Sequence, residues 1–165
     1  MQAEKQESGT LAQWIVLMLG GQAYALLVSA IQEIIRVPPV TPVPGAPECV
    51  EGVFNLRGRV VPIVDLARRL GLPSRERTKS SRVIIIQSGQ RAVGLLVDAV
   101  TEVIDMGPDD WDAAGDILSG LPHAECFVGV SRVAERLLMA LDLDRLLVLT
   151  ATLAEATPEA LPSHG

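Results

Sequence analysis

Leu26-Leu27-Val28-Ser29-Ala30-Ile31-Gln32-Glu33-Ile34-Ile35 returns 69 positions later as Leu95-Leu96-Val97-Asp98-Ala99-Val100-Thr101-Glu102-Val103-Ile104, with six of the ten residues identical. A second set of matches runs at an offset of 77: Gly52-Val53 with Gly129-Val130, Arg59 with Arg136, Asp65-Leu66 with Asp142-Leu143, and Cys49 with Cys126. The offsets differ by 8, which reads as an insertion in the second copy's long loop, residues 107–125. Self-similarity at a fixed spacing marks a tandem duplication, here of a unit of about 60 to 70 residues.

Outward from this repeat, the apolar runs are short, rich in Val and Ile, and broken by turn residues. Residues 14–19 and 24–28 flank Gly20-Gly21, a hairpin signal. Residues 33–37 predict a third strand. Five prolines (Pro38, Pro39, Pro42, Pro44 and Pro47) then make a stiff exposed connection, because proline has no N–H for a ladder. Residues 50–56 and 59–64 predict a hairpin turning at Arg57-Gly58. Asp65 is placed to cap a short helix that stops at Gly71. Another hairpin follows over residues 82–87 and 91–97, around Ser88-Gly89.

Each copy therefore carries five short strands and a small helix. Five twisted antiparallel strands usually close into a small barrel, which hides their edges. The expected fold is mainly β: two five-stranded barrels packed around a shared core. The expected division is a flexible tail over 1–11, a first barrel copy over 12–72, a linker over 73–81, a second copy over 82–149 and a tail over 150–165. The pattern leaves open whether a strand crosses to the other barrel.

Composition narrows the function. Fourteen basic against 20 acidic residues give a net charge of -6. A nucleic-acid binder carries the opposite balance, to displace phosphate counterions. No apolar run approaches the length of a membrane span, and the first ten residues lack an apolar signal core. These features predict a cytoplasmic protein. Cys49 and Cys126 belong to no metal pair and read as small buried hydrophobes. Asp109, Asp110, Asp112 and Asp116 do not follow calcium-loop spacing. A Cys126–His123 nucleophile pair lacks a third orienting residue.

The stretch Glu51-Gly52-Val53-Phe54-Asn55-Leu56-Arg57-Gly58-Arg59-Val60-Val61-Pro62-Ile63-Val64-Asp65-Leu66 resembles the signature of CheW-type chemotaxis coupling proteins. So do Val93-Gly94-Leu95-Leu96-Val97-Asp98-Ala99-Val100-Thr101-Glu102-Val103 and Leu141-Asp142-Leu143-Asp144-Arg145-Leu146-Leu147. The resemblance covers residues 12–149. It implies two SH3-like barrels and no catalysis or cofactor. It further implies an adaptor joining chemoreceptor cytoplasmic tips to the regulatory domain of the histidine kinase CheA, in arrays at the membrane. The implied free state is a monomer.

Comparing the copies separates fold from function. Gly52/Gly129 and Asp65/Asp142 are shared and read as backbone and cap requirements. Arg57 is replaced by Ala134 and Asn55 by Arg132, whereas Glu33 is kept as Glu102. Copy one thus offers a Glu–Arg pair where copy two shows only the Glu. By the resemblance, Glu33, Asn55 and Arg57 form the kinase-coupling face. Ile31, Gly52, Val83, Gly94, Val100 and Val103 match receptor-binding positions, with Gly94 marking a close backbone approach. Ile117 and Leu118 match a second kinase contact used in ring-shaped assemblies, although the large aromatic some members place there is absent. The basic stretch from Arg68 to Arg82 reads as a solvated helix end or a docking patch. Two further readings stay open: an adaptor of a non-flagellar pathway (pili, surface motility or a second messenger), or a decoy that binds the kinase without receptor.

Overall fold

The computed structural model describes residues 11–73, 75–113 and 115–149. The expected tails lie almost wholly outside the described residues. Strand β1 (Ala12–Leu19) turns into β2 (Gln22–Leu27) through Gly20 and Gly21, whose φ angles of 58° and 86° define the tight primed turn that matches strand twist. A 3₁₀ turn, Val28–Ala30, leads to β3 (Ile31–Arg36). After the proline-rich connection come β4 (Val50–Leu56), β5 (Arg59–Asp65) and helix α1 (Leu66–Arg69). The second half repeats the order with β6 (Arg82–Ser88), β7 (Arg91–Val97) and β8 (Ala99–Met106), then helix α2 (Gly115–Leu118) in its longer loop. It ends in β9 (Phe127–Val133), β10 (Arg136–Leu141) and helix α3 (Leu143–Leu146). Asp65 and Asp142 cap their helices as expected, the Asp65 carboxylate accepting from the Ala67 amide at 3.1 Å and that of Asp142 from the Arg145 amide at 3.3 Å.

The ten strands form two five-stranded sheets, ordered β8-β1-β2-β10-β9 and β3-β6-β7-β5-β4. This corrects the division into one barrel per half, 12–72 and 82–149. Each half gives two strands to one sheet and three to the other. The chain crosses twice, at Val28–Ala30 and at Asp98, both inside the repeated stretch. Each crossing interrupts the ladder briefly: a 3₁₀ turn over Val28–Ala30 between β2 and β3, and the single residue Asp98 between β7 and β8.

Each sheet closes on itself along its open seam. Beyond β3, Thr41 exchanges two backbone hydrogen bonds with Val53 of β4, at 2.8 and 2.9 Å. Beyond β8, Asp112 does the same with Val130 of β9, both at 2.8 Å. The shared glycines explain themselves here. A Cβ on Gly52 (φ 149°) would lie 2.2 Å from the Thr41 carbonyl oxygen, and one on Gly129 would lie 3.0 Å from that of Asp112.

Strand alternation sorts the core into three parts. Ile15, Leu17 and Leu19 of β1 join Ile84 and Ile86 of β6, Val93 and Leu95 of β7, and Tyr24 and Leu26 of β2 in the large core between the sheets. The intervening residues fill the barrels: Trp14 and Val16 in one, Val83 and Ile85 in the other. Alanines at 23, 25 and 140 leave room for Trp14, which lies 4.9 Å from Trp111 between ring centroids. Each large side chain buried in this way contributes about 1.5–3 kcal/mol.

Candidate functional site

The β4–β5 turn is a second primed turn, with Arg57 at φ 49° and Gly58 at φ 86°. The Asn55 side-chain oxygen accepts from the Gly58 amide at 2.9 Å and fixes it. Arg57 is thereby aimed across the seam, where its guanidinium donates to the Glu33 carboxylate on the opposite edge strand. The Arg57 side chain remains 69% exposed. An exposed pair of this kind contributes about 0–1 kcal/mol, so its surface position is not dictated by stability. The structure thus brings Glu33, Asn55 and Arg57 into one patch.

The second half departs from its reading. Glu102 is paired after all, with Arg136 at 2.6 Å. Ala134 and Glu135 make the same primed turn, at φ 53° and 65°, but Ala134 has no charge to offer. The first residue of β10 supplies the cation instead.

The six receptor-binding candidates do not share a surface. Val83 is wholly buried and Gly94 lies beneath it: a Cβ there would sit 2.6 Å from Val83 Cγ1. A side chain, not another backbone, fills the space that Gly94 leaves. Gly52 is covered by Thr41 at the seam. Ile31 and Val100 are half-buried against the central core. Val103, 54% exposed, is the open one, and Ile34 on β3 is an exposed apolar residue outside the six. Leu118 is also corrected, since it packs into the central core; the side chain of Ile117 lies outside the described residues.

The basic stretch is largely consumed internally. Arg69 donates to the carbonyls of Leu146 and Arg145 at 3.0 and 2.9 Å, capping α3 from α1. Arg75 pairs with Asp98 at 3.3 Å and Arg77 with Glu51 at 2.6 Å. Arg82 donates to the Lys79 and Ser81 carbonyls. Cys49 and Cys126 are free and buried, and burial pushes both thiols up. That is the reverse of what an activated nucleophile needs. The acidic loop serves the seam: the Asp110 carboxylate accepts from the Gly107 amide at 2.7 Å, two residues before the Asp112 bridge. Among the described residues no helix is long and apolar enough to cross a membrane.

The two SH3-like barrels thus carry exposed ion pairs at their seams, and both cysteines are buried. Residues 13–151 match the CheW-like domain. The chain is 38% identical over 130 residues to the chemotaxis protein CheW of Rhizobium meliloti, covering 79% of this chain and 83% of that one. It is 30% identical over 135 residues to CheW of Klebsiella aerogenes, covering 82% and 81%. The crystal structure of the scaffolding protein TtCheW from Thermoanaerobacter tengcongensis superposes with a TM-score of 0.76 at 28% identity, covering 84% of this chain and 88% of that one. The chain belongs to the CheW family of chemotaxis scaffold proteins.

Proposed function

We propose that this protein is a non-catalytic cytoplasmic adaptor linking chemoreceptor tips to the CheA histidine kinase in a bacterial chemosensory array. The observation that carries the reading is the exposed Glu33–Arg57 pair, which the resemblance assigns to kinase coupling, on a chain that matches the CheW-like domain from residue 13 to 151. Glu33, Asn55 and Arg57 form the kinase-coupling face. Receptor helices dock by apolar residues, and Val103, with half-buried Val100 and Ile31, supplies the accessible part of that contact. The buried Val83, Gly94 and Gly52 act through barrel shape. Signalling then follows from coupling of two binding surfaces, each partner favouring different contacts in the kinase-on and kinase-off states.

The test is a pull-down of the full chain with the kinase regulatory domain and a receptor cytoplasmic fragment from the same organism, separately and together. Simultaneous capture of both supports the adaptor. Capture of neither overturns it, and capture of the kinase domain alone makes the protein a decoy.

A further inference from the structure

We infer that Arg59 and Arg91 form a receiving cleft for a glutamate side chain of a partner protein. The cleft has a volume of about 370 Å³ and is lined by Arg59, Val60, Pro62, Gln90, Arg91 and Ala92. Strands β5 and β7 are parallel neighbours, with Ile63 opposite Gly94. Their first residues, Arg59 and Arg91, therefore fall at the same end of the sheet. Both are exposed. Several arginines pair with carboxylates, Arg57 with Glu33, Arg75 with Asp98, Arg77 with Glu51 and Arg136 with Glu102, while among the described residues Arg36 and Arg132, like the cleft pair, do not; Arg59 and Arg91 differ from those two in lining one cleft together. Among the described residues, the Arg59 and Arg91 side chains have neither an ion pair nor a hydrogen bond. Two unneutralised guanidiniums on one cleft, in a chain of net charge -6, are complementary to an anion.

The duplication shows which anion fits. Arg136 is the counterpart of Arg59, and it holds Glu102 at 2.6 Å. In the first half the equivalent carboxylate, Glu33, is taken by Arg57, so the Arg59 position is left open. The lining also discriminates. Pro62 and Ala92 are buried, so the apolar surface open to the methylenes of a glutamate stem is chiefly that of exposed Val60. Two guanidiniums lining the same cleft suit a carboxylate, which each planar fork can grip with two hydrogen bonds. Phosphate has no such stem, and the net charge repels a nucleic acid. On the adaptor reading, on which this step rests, the partner is the kinase regulatory domain, because Arg59 shares the β4–β5 hairpin with Arg57.

The experiment measures affinity of the full chain for the kinase regulatory domain and for the receptor fragment across a salt series, for wild type and for Arg59→Ala/Arg91→Ala. The expected result is a loss of about tenfold or more for the kinase domain with a flatter salt dependence, and unchanged receptor affinity. An unchanged thermal midpoint confirms that the double variant folds. Kinase affinity within twofold of wild type overturns the inference, as does a loss confined to the receptor. If wild type binds neither protein, the adaptor reading fails, and a partner-free arm decides the cleft: NMR titration with a capped glutamate-containing peptide, inorganic phosphate and a DNA duplex. Peptide shifts at both arginine side chains and the Val60 methyls sustain it. Shifts with phosphate or DNA alone, or none, overturn it.

Discussion

Arg57, held in a left-handed turn, reaches across the barrel seam to Glu33 on the opposite edge strand. The Thr41–Val53 bridge already closes that seam through the backbone, so the ion pair is not needed for closure. Arg57→Ala is expected to lower stability by no more than about 1 kcal/mol in a denaturant titration. The same variant is expected to abolish kinase activation in a reconstituted array. A folded variant that still activates fully removes Arg57 from the coupling face.

Gly52 and Gly129 share a role but not a severity. A Cβ at Gly52 meets a carbonyl at 2.2 Å on a backbone with φ 149°; at Gly129 the nearest carbonyl is 3.0 Å away. Overpacking and backbone strain together put Gly52→Ala at about 3–5 kcal/mol. Gly129→Ala, with overpacking alone, is expected to cost about 1–3 kcal/mol. Equal losses for the two, read from urea midpoints, contradict this account of the seams.

Gly94 and Val83 are one packing unit, since the valine methyl fills the space above the glycine. Gly94→Ala alone is expected to destabilise by about 1–3 kcal/mol. Adding Val83→Ala makes room for the new methyl, so the double variant should be more stable than the sum of the singles by about 1 kcal/mol or more. Additive losses mean that the contact does not govern Gly94.

The buried thiols give a pH signature. Each of Cys49 and Cys126 is raised by burial above the ordinary 9.0, so the folded state holds its protons longer than the unfolded chain. The sign follows from linkage: this contribution is complete below pH 9 and is lost as pH climbs from there through the raised native values. Stability measured between pH 8 and 11 should fall less steeply in a Cys49→Ala/Cys126→Ala variant than in wild type. Parallel curves exclude a thiol contribution.

Much of this fold is legible because local chemistry decides it. Gly20-Gly21 and Arg57-Gly58 announce their turns, and Asp65 and Asp142 announce their helix starts. Strand partners were harder. Residues 29–31 read as a bend, but which sheet receives the next strand depends on contacts far along the chain. The same limit applies to the site. Glu33 and Arg57 stand out by comparison of the copies, whereas the Glu102–Arg136 pair needed the seam to be visible. Val83 and Val103 are alike as sequence, both β-branched residues in strands, yet one is enclosed and the other open. Alternation gives two faces of a strand, and only the packing of the sheets decides which face is interior.

The reciprocal strand exchange has a consequence for ancestry. A chain carrying a single copy holds two strands of one barrel and three of the other, and can complete neither alone. Two such chains complete both. The duplicated protein therefore contains, within one polypeptide, the geometry of a swapped homodimer whose two subunits have been fused. The two halves differ where Arg59 lacks the carboxylate that its counterpart Arg136 holds, and where the acidic loop lengthens the second half.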